Sequence, residues 1–398
     1  MKRTHILLHP DNAGPMPLLR LDRENLPIGG EHSWSVQTRT LRGGRQDGVD
    51  VVEINNGKLS FSVLLTRGMG IWKGQLGDIS LGWNSPVRDP VHPAYIQPFE
   101  NGGIGWLKGF NEWIVRCGLS SMGAPGLDAM VDNNGNTIEV SLPLHGNIAN
   151  TPARSASIEI SGEEIIVRGE VDETMMFGPA LRLNTEMRTA LGSPTLTIND
   201  TVTNLGDNPA EHQLLYHVNY GAPLLGKDSR FLAPLQQMAP RDARAAEGIA
   251  DYARYDGPSP GFIEQAYFFE LAGRPDSHET LAMLSNPDGS RASLVRFSLD
   301  DFPCFTLWKN TAGSADGYVT GLEPATSYPN PRRFERSKGR VPVLSGGEAR
   351  KTSLVVEILD TPEAVESAKN EISALQDSAG GNVNPQPLPR FSDIPPPA

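Results

Sequence analysis

Hydrophobic and polar positions alternate along much of the chain, and short turn signals separate the alternating runs. Residues 49–72 form two such runs around Asn56-Gly57, a dipeptide typical of a tight β-hairpin. Further alternating runs lie at residues 137–142, 156–160, 165–168 and 195–203. A period of two residues is that of a strand that buries one face, so the pattern predicts an antiparallel, all-β protein through about residue 360.

One convincing helical pattern follows the predicted strands. Thr361 precedes Pro362, a combination typical of a helix N-terminus, and a stripe of apolar residues comes after it at helical spacing. The stripe consists of Val365, Ala368, Ile372 and Leu375. We expect it to pack on the strands.

The two ends of the chain are expected to lie outside the central β domain, which we place at residues 46–376. Residues 1–45 are predicted to form an extension that packs on this domain. Residues 377–398 are rich in glycine and proline and poor in apolar side chains, which predicts a mobile tail. A proline-rich ligand for a partner is the alternative interpretation of the tail.

Composition narrows the class of protein. The 398 residues include 41 glycines and 33 prolines, which suits many strands joined by turns, in one large domain or two fused halves. The formal net charge is −12 and basic residues are scattered, which argues against nucleic-acid and anionic-membrane partners and favours a small neutral molecule. The two cysteines are expected to be reduced. No signal-peptide core or long apolar segment is present, so the expected location is the cytoplasm.

Several familiar motifs are missing or weak. The sequence has no Gly-x-x-x-x-Gly-Lys-Ser/Thr, no Cys-x-x-Cys and no His-Glu-x-x-His. Residues 257–261 match Gly-x-Ser-x-Gly, but prolines flank the serine and favour a surface turn. Residues 103–109 resemble a dinucleotide fingerprint only loosely and are predicted to form a flexible loop with Trp106 at its tip. Residues 132–135 indicate a turn rather than a calcium loop. We expect neither a metal nor a cofactor.

Three side chains stand out as candidates for chemistry on a sugar. Glu323 lies among apolar residues beside a proline, in Gly321-Leu-Glu-Pro-Ala, and His217 lies in the apolar run of residues 214–225. His145 lies beside a glycine and two asparagines. A carboxylate and a histidine suffice for general acid and base catalysis at an anomeric centre. A buried ion pair for Glu323 and a core histidine for His217 remain as alternatives.

The sequence around these residues resembles the galactose mutarotase-like superfamily and, within it, the divergent aldose 1-epimerase-like proteins of poorly defined substrate. The resemblance spans roughly residues 45–360 and rests on the order and spacing of six segments. They are Arg67-Gly-Met-Gly-Ile, Arg116-Cys-Gly-Leu-Ser-Ser-Met-Gly, Leu144-His-Gly-Asn-Ile, Tyr216-His-Val-Asn-Tyr-Gly-Ala-Pro, Trp308-Lys-Asn and Gly321-Leu-Glu-Pro-Ala-Thr. The resemblance implies a large antiparallel β-supersandwich whose concave face binds a monosaccharide.

The resemblance also implies roles for individual residues. It places His217 as the acid, with Asn219 as a substrate-binding residue on the same strand face, and Glu323 as the base. It places His145 as a hydrogen-bond donor to the substrate and Arg116 as the substrate-binding arginine. The family's substrate-binding aspartate has no clear counterpart. Three aspartates between His217 and Glu323 are candidates, but they lie in segments that do not resemble the family. They are Asp251, Asp256 and Asp276.

Other candidates keep two interpretations. Arg67 is predicted to reach the sugar or to form a structural ion pair. Trp308 is predicted to stack on the sugar ring, with core packing as the alternative. Lys309 is predicted to donate a hydrogen bond to the sugar hydroxyls. Arg332, Arg333 and Arg336 form a basic turn that either contacts an anionic group of the substrate or is solvated surface.

The sequence therefore predicts an aldose 1-epimerase that needs no cofactor. The alternatives are an epimerase for a sugar phosphate or sugar acid, and a carbohydrate-binding or sensing protein on the same scaffold. Glycoside hydrolysis is less attractive because it usually needs two carboxylates and only Glu323 is a clear candidate.

Overall fold

Two large sheets, packed face to face, account for most of the chain. The computed structural model describes residues 2–12, 14–29 and 31–394, without the side chain of Ser378. The described residues form 26 strands and four α-helices. Strand pairings are antiparallel apart from one short parallel contact, so the predicted all-β, antiparallel class is confirmed.

One sheet has nine strands. Their spatial order is β1 (Lys2–Leu8), β11 (Ser155–Ser161), β12 (Glu164–Thr174), β13 (Ala180–Ala190), β14 (Thr195–Asn204), β25 (Ala349–Leu359), β21 (Ala292–Ser298), β20 (Glu279–Ser285) and β17 (Arg230–Leu232). The long strands β13 and β14 alternate between buried and more exposed residues, and β12 does so from Val167 onwards, as expected for strands with one face on the core.

The other sheet has thirteen strands. Their order is β2 (Arg20–Asp22), β3 (Ser35–Thr40), β4 (Asp50–Asn55), β5 (Leu59–Leu64), β6 (Gly70–Leu76), β8 (Ile114–Leu119), β16 (Gln213–Tyr220), β23 (Val319–Ala325), β22 (Cys304–Asn310), β19 (Gln265–Leu271), β18 (Leu235–Pro240) and β26 (Asn382–Val383), with β7 (Ile79–Leu81) beside β6. The hairpin of β4 and β5 turns at Asn56-Gly57, as predicted, and Gly57 has φ 97°.

The remaining elements are small. Two-stranded sheets pair β9 (Gly126–Val131) with β10 (Thr137–Leu142), and β15 (Ala210–Glu211) with β24 (Val343–Leu344). The helices are α1 (Glu100–Gly103), α2 (Ala243–Glu247), α3 (Arg332–Ser337) and α4 (Pro362–Ala379). The predicted C-terminal helix is α4: the Thr361 side chain accepts a hydrogen bond from Ala364, and the apolar stripe packs on β20, β21 and β25.

The termini differ from the predicted extension and tail. The first 45 residues contribute β1 to one sheet and β2 and β3 to the other. Beyond α4, β26 pairs with β18, and Leu388 and Phe391 pack against Tyr328 and Phe268. The prediction of a mobile tail therefore does not describe residues 382–394, because strand pairing and two apolar side chains hold them on the sheet. Residues 395–398 of the predicted tail lie outside the described residues.

The central strand β16 is buried along its whole length because both of its faces are covered. Leu214, Tyr216 and Val218 point into the core between the two sheets. Leu215 points the other way, into a smaller cluster with Trp106 and Phe110 from the segment between β7 and β8. Because side chains alternate along a strand, His217 lies on the face of Leu215. The fold therefore places His217 on the outer face of the thirteen-stranded sheet, beneath a covering segment.

Candidate active site

His217 and Glu323 lie side by side on neighbouring strands. The register of β16 and β23 pairs Val218 with Leu322, which sets His217 opposite Glu323. Their side chains are 5% and 3% exposed, and Nε2 of His217 is 3.1 Å from Oε1 of Glu323. This contact lacks hydrogen-bond geometry, so Oε1 is a buried acceptor without a hydrogen-bond donor. The two predicted catalytic residues are thus brought together, with unsatisfied capacity for a ligand.

Asn219 fixes the tautomer of His217. Its Nδ2 donates to the backbone carbonyls of Glu112 and His217 itself, at 3.0 and 3.1 Å. Its Oδ1 therefore faces Nδ1 of His217, 2.6 Å away, and that nitrogen must carry a proton. The other ring nitrogen, Nε2, is left to exchange a proton with Glu323 or with a ligand. Asn219 was predicted on this face as a sugar contact, and its position instead makes it the residue that orients the imidazole.

Burial favours the neutral forms of both partners. Burial and the nearby His145 lower the pKa of His217 well below the ordinary histidine value, although the Asn219 hydrogen bond raises it. Burial and the charge of Glu264 raise the pKa of Glu323 well above the ordinary glutamate value, although Arg241 lowers it. A neutral imidazole beside a neutral carboxyl shares one acidic proton. That is the number of protons that an acid and base pair requires.

His145 lies next to the pair, with its ring centroid 5.7 Å from that of His217. Its backbone has φ 59°, which turns the chain so that Nδ1 lies 2.9 Å from the carbonyl of Met122. Burial lowers the pKa of His145 to about 4, against the raising effects of that hydrogen bond and of Glu264. The neutral ring therefore donates from Nδ1 to the carbonyl, and its Nε2 can only accept. His145 can contact a sugar hydroxyl as an acceptor, in contrast to the donor role that the sequence predicted.

Aromatic rings enclose the three polar side chains. Phe110 and Trp308 lie at centroid distances of 5.1 and 5.3 Å from His217, and Trp106 lies 4.6 Å from His145. The predicted proximity of Trp308 is thus found. Trp106 is buried, so the prediction of an exposed loop tip is wrong; its indole packs on Phe110 at 4.7 Å. The sequence could not assign Trp106 and Phe110 to the site, because both lie in a segment without a strand pattern.

A second carboxylate, Glu264, lies at the rim of this site. Its Oε2 accepts a 2.7 Å hydrogen bond from the indole of Trp308, and its Oε1 lies 3.0 Å from Arg241. Glu264 falls between His217 and Glu323 in sequence, the interval in which an aspartate was expected. The search for an aspartate missed it, and its position directly before the apolar strand β19 is the signal that could have found it.

Arg116 does not reach the site, and its predicted role as a substrate contact is wrong. It pairs with Tyr216 in the strand register, so it points to the opposite face from His217. Its guanidinium bonds Asp200, the backbone carbonyl of Met69 at 3.0 Å and Thr185 at 2.7 Å. These partners lie between the two sheets and use its hydrogen-bonding capacity in an internal network.

Arg67 and Lys309 are structural as well. Arg67 is buried and forms an ion pair of 2.7 Å with Glu112, the structural alternative that its sequence context left open. The carbonyl of Glu112 in turn holds Asn219. Lys309 follows Trp308 on a strand and therefore points away from the site; its Nζ donates to the carbonyls of Asp251, Tyr252 and Arg254. Its predicted contact with sugar hydroxyls is wrong.

The basic turn forms part of another surface. Arg332 lies 2.6 Å from Asp128, and Arg336 contacts both Asp128 and Glu211. Although burial raises the pKa of Asp128, these guanidiniums lower it to about 2. Arg332 and Arg336 line a separate cleft of about 980 Å³. Arg333 is exposed on the same helix. This cleft does not contain His217 or Glu323.

No group of three or more histidine, cysteine, aspartate or glutamate side chains in the part of the chain that the structure describes is placed to hold a metal ion. None of the helices in the described ranges is long and apolar enough to cross a membrane.

Comparisons with known proteins agree with this architecture. A solved structure from Klebsiella pneumoniae subsp. pneumoniae MGH 78578, provisionally named an aldose 1-epimerase, is 31% identical and covers 96% of this chain and 98% of its own, with a TM-score of 0.90. A galactose mutarotase-like protein from Clostridium acetobutylicum is 13% identical and covers 81% of this chain and 98% of its own, with a TM-score of 0.57. No curated protein matches the chain.

A galactose 1-epimerase from Lactobacillus acidophilus NCFM, 13% identical, covers 81% of this chain and 98% of its own, with a TM-score of 0.50. The fold is therefore the galactose mutarotase-like sandwich that the sequence resembles. A family model described as "Domain of unknown function (DUF4432)" matches residues 46–358. The chain belongs to this family, DUF4432.

Proposed function

We propose that the protein is an aldose 1-epimerase, which interconverts the two anomers of a sugar by opening and closing its ring. The observation that carries this proposal is the buried contact of 3.1 Å between Nε2 of His217 and Oε1 of Glu323. Support also comes from the solved structure with 31% identity, whose provisional name gives this activity.

The geometry suits ring opening because the two reacting oxygens are bonded to the same carbon. Glu323 takes the proton of the anomeric hydroxyl, the bond between the anomeric carbon and the ring oxygen breaks, and a carbonyl forms. Nε2–H of His217 gives its proton to the ring oxygen. Rotation about the adjacent carbon–carbon bond and the reverse transfers close the ring as the other anomer. Neighbouring groups on adjacent strands can serve both oxygens at once, and the proton count is unchanged after a full cycle.

Each supporting residue has a place in this scheme. Asn219 keeps Nδ1 of His217 protonated, so that Nε2 is the nitrogen that transfers the proton. His145 offers an acceptor for a sugar hydroxyl. Trp308 offers an indole beside the acid, suited to the apolar face of a sugar ring. Glu264 offers carboxylate oxygens at the rim.

The charges around the site favour a neutral aldose over a sugar phosphate or sugar acid. Arg241 is a cation whose charge acts on Glu323, and it already pairs with Glu264 and Asp242. The arginines of the basic turn pair with Asp128 and Glu211 in the separate cleft. An anionic sugar would face Glu264 and Glu323 without an unpaired cation, which is electrostatically unfavourable.

The test is the rate at which freshly dissolved single anomers equilibrate, followed by NMR with catalytic amounts of protein. A panel of neutral aldoses, sugar phosphates and uronic acids separates the alternatives. We expect acceleration for at least one neutral aldose and little for its 6-phosphate. Acceleration confined to anionic sugars would contradict the assigned substrate class, and sugar binding without any acceleration would favour a sensing protein.

A further inference from the structure

The chain beyond helix α4 runs along the edge of the thirteen-stranded sheet towards the site. Strand β26 covers Gln237 and Met238 of β18, and Asn384 then donates its side-chain amide to the carbonyl of Met238 at 2.8 Å. Covering an exposed sheet edge is a common role for such a segment. The segment continues well beyond the paired residues, however, and its tightest anchor comes later.

That anchor is Phe391, which is 1% exposed. Its ring packs on Tyr328 at a centroid distance of 5.2 Å, and its carbonyl accepts a 2.8 Å hydrogen bond from Asn330. Tyr328 and Asn330 belong to the loop that directly follows β23, the strand that carries Glu323. The C-terminal segment is therefore attached to the continuation of the catalytic strand.

The next residue, Ser392, contacts Arg241. The hydroxyl of Ser392 donates a 2.6 Å hydrogen bond to the backbone carbonyl of Arg241. Desolvation raises the pKa of the Asp393 carboxyl, and the charge of the Arg241 guanidinium lowers it in part. The C-terminal segment thus holds the backbone of Arg241 through Ser392, and the charge of Asp393 interacts with the guanidinium.

Arg241 in turn contacts side chains of the sugar site. Its guanidinium pairs with Glu264 at 3.0 Å, and Glu264 holds the indole of Trp308 at 2.7 Å. Trp308 packs against His217. Glu264 is 43% exposed, so little else restrains its side chain. Its orientation therefore depends on Arg241 and Trp308.

We propose that residues 390–394 are part of the sugar site: they position Arg241 and, through it, the Glu264 carboxylate that receives the hydroxyls of the bound sugar. This inference rests on the proposed function. It makes Phe391, Ser392 and Asp393 positioning residues that set affinity for the sugar, with little influence on the proton transfers at His217 and Glu323.

Two truncations test the inference, with kcat and KM measured for the aldose that the wild type converts fastest. Deleting residues 395–398 is the control, because it keeps every contact described above, and we expect unchanged kinetics. Deleting residues 390–398 should raise KM about tenfold, the effect of losing one charge-assisted hydrogen bond to the sugar. The value of kcat should stay within about threefold, because the acid and base pair is untouched.

Point variants decide the matter if the longer truncation does not fold. The double variant Ser392→Ala, Asp393→Asn should raise KM in the same way while its urea midpoint stays near that of the wild type. Ser392→Thr, which keeps the hydroxyl, should restore the Ser392 contribution. An unchanged KM in the folded double variant, or a loss confined to kcat, would overturn the inference alone. A wild type that converts no aldose would overturn the proposed function and this inference with it.

Discussion

At the scale of single residues, burial controls the chemistry of His217 and Glu323. It disfavours the charged form of each, so the neutral pair is favoured in the free protein. Because Nε2 of His217 is only 3.1 Å from Oε1 of Glu323, transfer of the carboxyl proton to the imidazole makes the pair ionic without exchange of a proton with solvent. Ring opening starts from the ionic form, in which Glu323 is a carboxylate and His217 carries a proton on Nε2. After both proton transfers, the two side chains are neutral.

The pH dependence of kcat/KM follows from this balance. When His217 is protonated beside a protonated Glu323, no base is left to accept the proton of the anomeric hydroxyl. Because the pKa of His217 is lowered, this protonation occurs below about pH 6.5, the ordinary histidine value. The groups facing the pair are His145, Glu264, Arg241 and Cys117. We therefore expect the acid limb of kcat/KM to lie clearly below pH 6.5. An acid limb centred at or above pH 6.5 would contradict the effect of burial.

At the scale of elements, strand alternation decides which predicted residues meet. His217 and Asn219 share a face of β16, as the sequence predicted, because they are two residues apart. Trp308 and Lys309 are adjacent on β22 and point to opposite faces, so predicting both as sugar contacts was inconsistent with the strand itself. Strand alternation does not predict Phe110, and for Glu264 the sequence indicates only a carboxylate directly before an apolar strand. They reach the site through strand order and a loop, which local pattern does not determine.

Gly321 on β23 gives a test of this packing. A Cβ at this position would lie 2.7 Å from Oε1 of Glu323 and 2.8 Å from Cε1 of His217. Gly321→Ala should therefore push the acid and base apart and lower kcat by roughly 10²-fold or more, the usual contribution of one positioned group. Circular dichroism and thermal unfolding should show a retained fold. Gly162→Ala, at a position with open space, is the matched control, and equal activity of the two variants would count against the assigned geometry.

At the scale of the whole molecule, buried charges link the two sheets and support the site indirectly. Arg116 on β8 pairs with Asp200 on β14 across the core. The all-β class and the main hairpins were predictable because alternation and turn residues are local signals. The packed C-terminal segment was not, because composition averages over 22 residues hide the single ring of Phe391 that anchors it. Arg116 was mistaken for a ligand contact because the sequence does not reveal a partner 84 residues away.

Arg116→Met tests the structural role. Removing the cation leaves the buried carboxylate of Asp200 without its charge partner, which typically costs about 3–5 kcal/mol. We expect the free energy of unfolding in urea to fall by that order, while KM of the folded protein stays near the wild-type value. A tenfold rise in KM with unchanged stability would contradict the structural role and support a contact between Arg116 and the sugar.

The central claim is that Glu323 acts as the base in anomer interconversion. The most direct measurement is NMR of a freshly dissolved single anomer with catalytic amounts of wild type or Glu323→Gln, a variant that keeps the size of the side chain but cannot accept the proton. We expect the wild type to accelerate equilibration and the variant, with an unchanged fold, to lose about 10²–10⁴-fold of that rate. A variant that equilibrates the anomers as fast as the wild type would contradict the account.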